Sequence, residues 1–154
     1  VLSDFQVSVP ELGTIKAKVK PIVFLTSNNT REMSDALKRR CLHLHITFPE
    51  PALERRILER RVPGLSGTLN RELVAFIQAV RQLDLKKLPS VSETIDWAKT
   101  LLLLNAEHLS LDLVRDTLNV FLKFEQDIAT ANEQMGNLLQ QARKDAELSH
   151  ASHA

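Results

Sequence analysis

Pro21-Ile22-Val23-Phe24-Leu25-Thr26-Ser27-Asn28-Asn29 is the stretch on which the reading of this chain turns. Ile22 to Leu25 are apolar at every position, the pattern of a strand covered on both faces, as in the parallel sheets of α/β domains. In such sheets the ligand-facing groups lie just beyond the carboxyl ends of the strands, which puts Thr26 to Asn29 in that position. An asparagine there offers a donor and an acceptor on a short arm and can orient a water or a phosphate oxygen. The same residue types are also favoured in any strand-end turn.

On the amino-terminal side, Phe5-Gln6-Val7-Ser8-Val9 alternates apolar with polar, Pro10-Glu11-Leu12-Gly13 supplies turn chemistry, and Thr14-Ile15-Lys16-Ala17 returns, which predicts a hairpin. On the carboxyl side a short helix is expected from about Ser34 to Arg40, with Ala36 and Leu37 turned inward. Leu42, Leu44 and Ile46 then alternate with Cys41, His43 and His45, giving a further strand. Phe48-Pro49 closes this regime.

Beyond Pro49 the period is helical. Glu50 to Arg61 sets Leu53, Ile57 and Leu58 on one stripe, and Pro63-Gly64 ends it. Asn70 is a candidate cap for a helix carrying Leu73, Phe76, Ile77, Val80 and Leu83. Ser90-Val91-Ser92-Glu93 fits a capping box ahead of Ile95, Trp97, Ala98, Leu101 and Leu102. From Ser110 a last pattern, broken at most once, runs through Val114, Leu118, Phe121, Ile128, Met135, Leu138 and Leu139. It either finishes the helical domain or projects to bind a partner helix. The expected organisation is an α/β part over 1–49, an all-α part over 50–148 and an unstructured tail over 149–154, mostly α overall.

Composition removes several functions. The 154 residues hold four glycines, Gly13, Gly64, Gly67 and Gly136, from which neither GxxxxGK[ST] nor GxGxxG can be assembled, so the chain carries no phosphate cradle of its own. Twenty Lys and Arg against 19 Asp and Glu leave a net charge of +1, which argues against nucleic acid or an anionic membrane as partner. The longest aliphatic run, Leu101 to Leu104, falls far short of the roughly 18 apolar residues of a membrane span. Cys41 alone excludes a disulfide framework and fits a reducing cytoplasm. The chain opens on Val1 without a leader pattern, so it is expected to start within a longer protein.

Two further groups could carry chemistry. Arg39 and Arg40 stand together at a helix-to-strand junction, and a guanidinium reaching across an interface binds phosphate oxygens in pairs. A solvated helix end favours cations too. Cys41, His43 and His45 would share one strand face, but no fourth ligand has motif spacing, and no metal site is assigned. No nucleophile arrangement stands out.

The ordered blocks LSDFQVSVPELGTIK, PIVFLTSNNTREMSDALKRRCLHLHITFPEP, RRVPG and LPSVSETIDWA resemble the C-terminal half of MoxR-type AAA+ ATPases, in particular the carbon-monoxide-dehydrogenase-accessory or von-Willebrand-A-associated group. The resemblance covers about Leu2 to Asp127. It implies the remnant of a AAA+ P-loop core, a hairpin plus two parallel-sheet strands, followed by a helical lid. Asn28 would be the sensor 1 residue that positions the attacking water, with Thr26 and Ser27 beside the nucleotide. Arg40 would be the arginine finger inserted into the neighbouring subunit's nucleotide, with Arg39 an adjacent candidate. The hairpin would contact substrate.

By the same resemblance, the full-length protein would bind ATP and Mg and this portion alone would bind neither. Its partners would be the other subunits of a homo-oligomeric ring, a hexamer in the family, and a client protein, with von Willebrand A proteins among the candidates. It would couple ATP hydrolysis to remodelling or activating that client in the cytoplasm. Walker A and Walker B are absent from the chain, and Ser92-Glu93 stands where many relatives carry a sensor 2 arginine. The competing expectation is a non-enzymatic helical adaptor that binds proteins through its terminal helix.

Overall fold

A computed structural model describes residues 5–20, 22–27 and 33–151. They divide between Ile46 and Thr47 into two compact units.

The first unit contains a hairpin of β1 (Gln6–Val9) and β2 (Gly13–Lys16), paired antiparallel with Val7 opposite Ile15. The Leu12 N–H donates to the Val9 carbonyl at 3.1 Å, closing a turn in which Pro10 contributes its fixed φ. Gly13 then takes φ +73, the left-handed region where a Cβ is costly. The Ser8 and Thr14 hydroxyls meet across the strands at 3.0 Å. Helix α1 is a single turn, Asp35–Lys38, shorter than expected, with Ala36 exposed and Leu37 half-buried.

The two parallel-sheet strands are not formed. Ile22 to Leu25 have no strand pairing, and Ile22 and Phe24 are 85% and 88% exposed. Leu42 and Leu44 are likewise unpaired and exposed. A strand apolar on both faces is stable only between neighbours and beneath covering layers. The sole sheet among the described residues is the hairpin, which pairs with itself. Cys41, His43 and His45 therefore share no strand face.

The second unit is helical and holds the core: α2 (Pro51–Arg61), α3 (Gly67–Val80), α4 (Val91–Leu103), α5 (Leu111–Phe121), α6 (Glu125–Glu133) and α7 (Met135–Ala151). After α2, a turn from Val62 to Leu65 places Pro63 second and Gly64 third at φ +96, the requirement of a type II turn. The stripe of α2 is rotated from its expected position: Glu54 and Leu58 are buried and Leu53 is half exposed. Helix α3 starts one turn before Asn70, with Ser66 as its cap accepting from the Leu69 N–H at 3.1 Å. Asn70 is instead buried, donating to the Arg55 carbonyl at 3.1 Å.

Helix α4 has the expected box at its start, Ser90 and Glu93 each accepting from the other's backbone N–H. It ends on Asn105 at φ +51, with the Ala106 and Asn105 N–H groups donating to the Leu101 and Leu102 carbonyls. This is a Schellman ending with asparagine in the left-handed position. Phe76, Trp97 and Phe121 meet at the centre of the core, Trp97 and Phe121 with ring centroids 4.5 Å apart. The indole N–H donates to Thr117 at 2.8 Å, satisfying a polar group that burial would otherwise penalise.

The final pattern is broken twice rather than once, and α7 packs chiefly on α3. Met135, Leu138, Leu139, Ala142 and Ala146 are all buried, so α7 finishes the helical unit instead of projecting from it. It continues to Ala151, through three residues expected to be unstructured; the rest of that tail lies outside the described residues. No described helix is long and apolar enough to cross a membrane.

Candidate functional site

The two adjacent arginines stand at the carboxyl end of α1, where unpaired carbonyls attract cations. Arg40 Nη1 donates to the Ala36 carbonyl at 2.9 Å and Arg39 Nε to the Asp35 carbonyl at 3.4 Å. Both residues are exposed. A guanidinium has five N–H donors, and those bonds use one on each side chain. Their side chains thus run back along their own helix, and among the described residues no hydrogen bond takes up the remaining donors of either fork.

Thr26 and Ser27 lie exposed at the end of the described 22–27 segment, with no strand beneath them. Asn28, the expected water-positioning residue, lies outside the described residues. Arg39 and Arg40 are brought together at the carboxyl end of α1, while no described interaction ties either of them to Thr26. His43 Nε2 meets the Lys38 carbonyl at 3.3 Å, and among the described residues no group of three His, Cys, Asp or Glu side chains is arranged to hold a metal.

A second polar constellation was not anticipated from the sequence. Glu54 of α2, with no exposed surface, receives Arg81 in a two-pronged pair, Nη1–Oε2 at 2.7 Å and Nη2–Oε1 at 2.8 Å. Arg81 Nε donates to the Pro89 carbonyl at 2.9 Å, and Thr94 donates to Glu54 Oε1 at 3.2 Å. Gln78 Nε2 donates to Glu54 Oε2 at 2.9 Å and to the Pro49 carbonyl at 3.1 Å. The Arg81 guanidinium lies over the Phe48 ring, 4.4 Å from its centroid. Burying two charges is tolerable only with this degree of hydrogen bonding. One signal was present in the sequence: Glu54 precedes the stripe residue Leu58 by four positions and so shares its face.

The cluster fixes where α4 begins. Burial raises the Glu93 carboxyl, but hydrogen bonds from Lys87 and Ser90 and the Lys87 charge outweigh it, leaving Glu93 below the ordinary carboxylate range. Lys87 Nζ stands 2.6 Å from its Oε1. Asp127, buried at the start of α6, accepts from the Lys86 and Lys87 backbone at 2.8 and 3.2 Å and so holds the preceding loop. Glu93 is thus a carboxylate committed to capping α4. Compared with protein-family models, curated proteins and solved structures, the chain finds no match.

Proposed function

We propose that this chain is the sensor, arginine-finger and lid portion of a MoxR-type AAA+ ATPase that couples ATP binding and hydrolysis to remodelling or activating partner proteins. The observation that carries the reading is the exposed Arg39-Arg40 pair ending α1, followed after Pro49 by a separate helical unit whose α4 opens on the PSVSE capping box. The exposed apolar segments at 22–25 and 42–46 fit the same reading: they are the strands that a nucleotide-binding half would receive into its sheet.

In this reading Arg40 acts in trans on the nucleotide of the neighbouring ring subunit, with Arg39 beside it. Asn28 orients the attacking water, and Thr26 and Ser27 flank the nucleotide. ATP and Mg bind to the full-length protein in the cytoplasm and not to this portion alone. When bound, ATP supplies the phosphoryl group whose transition-state charge a guanidinium stabilises. The helical-adaptor alternative has less support, because the stripe of α7 that would bind a partner is buried against α3.

The test is Arg40→Ala in the full-length assembly. Fingers delivered in trans contribute about 10³ to 10⁵ to turnover, so ATP hydrolysis should collapse while ring assembly and ATP binding persist. Unchanged turnover in an intact ring removes Arg40 from that role. A full-length polypeptide with no GxxxxGK[ST] loop removes the ATPase reading altogether.

A further inference from the structure

We infer that Gln78 and Arg81 lock the Phe48-Pro49 segment onto the helical unit, so that the ordered backbone of that unit begins at Phe48. Three observations combine. The Pro49 carbonyl accepts from Gln78 Nε2 at 3.1 Å, and the Phe48 ring lies under the Arg81 guanidinium at 4.4 Å. Both anchors are themselves immobilised, Gln78 by Glu54 at 2.9 Å and Arg81 by Glu54, Thr94 and the Pro89 carbonyl. The backbone is also stiff here: Pro49 and Pro51 have fixed φ, and Phe48 and Glu50, each preceding a proline, are held to extended conformations.

Upstream, among the described residues, the hydrogen bonds thin to the one between His43 Nε2 and the Lys38 carbonyl at 3.3 Å. Among the described residues, no backbone hydrogen bond involves residues 42–47, and Leu42, Leu44 and Ile46 are exposed. The compact units divide within this stretch, between Ile46 and Thr47. Gln78 and Arg81 act as positioning residues for that junction. The inference concerns the chain on its own, since in the reading proposed above residues 42–46 become a strand of the completed sheet.

Nitrogen-15 relaxation on the whole chain tests it. In the wild type, the Phe48 amide should show the order of the neighbouring helices, S² about 0.85, with residues 42–46 below about 0.6. Gln78→Met preserves length and apolar bulk and leaves the Arg81–Glu54 pair in place, and Phe48→Leu removes the ring beneath Arg81. Together they should lower the order at residue 48 to that of 42–46, while Trp97 fluorescence reports an unchanged core. The proposal is overturned if wild-type disorder runs through Phe48, if 42–46 is as ordered as the helices, or if the double variant leaves residue 48 unaffected.

Discussion

Glu93 shows how one side chain can be tied to several neighbours at small cost. It accepts from the Ser90 N–H at 2.8 Å and from Lys87 Nζ at 2.6 Å, and its ionised form is the one these contacts favour. A carboxyl held below its unfolded value of about 4.3 contributes stability above that pH and loses it as the pH falls through the folded value. Glu93→Gln keeps an acceptor for the cap and removes the charge. Its melting temperature should lie below wild type at pH 7, and the gap should close below about pH 4. A pH-independent gap would rule out the charge as the cause. Arg81 presents the opposite case, since its partners come from 27 residues upstream, 13 downstream and the Pro89 carbonyl. No local pattern announces such a residue, and it became visible only once α2, α3 and α4 were packed. Arg39 and Arg40 were legible as a pair at a helix end because a helix terminus is a local property.

Among the elements, α7 decides between the two uses first open to the terminal pattern. Leu138 is buried against the remainder of the unit, and Leu138→Ala should cost about 2–5 kcal/mol in a denaturant titration. A cost near zero would mean that α7 stands away from the core. The start of helix α4 is legible in the sequence because a capping box is written within four residues. The start of α3 is less legible, because Ser66 and Asn70 are both good caps and the choice between them depends on the Arg55 carbonyl of α2 claiming the Asn70 amide. The expected strands were lost for a further physical reason. An apolar run reports what a segment could bury, and whether it forms a strand depends on a neighbour the run itself does not encode.

For the molecule as a whole, the two units differ in what supports them. Amides of Ile22 to Leu25 should exchange with solvent at nearly unprotected rates, while those in the middle of α3 and α4 should be slowed by orders of magnitude. Slow exchange at 22–25 in the isolated chain would contradict the unpaired state described above. Within the helical unit, the packing of α7 on α3 joins residues 67–80 to residues 135–151, with α4, α5 and α6 in between. That contact closes a long loop within the unit, so its entropy cost falls late and slows folding. During synthesis the same arrangement leaves the α7-facing side of α3 bare until α7 emerges from the ribosome. A nascent chain stalled before Met135 thus exposes apolar surface of α3 that the finished unit buries, the kind of transient exposure that invites aggregation.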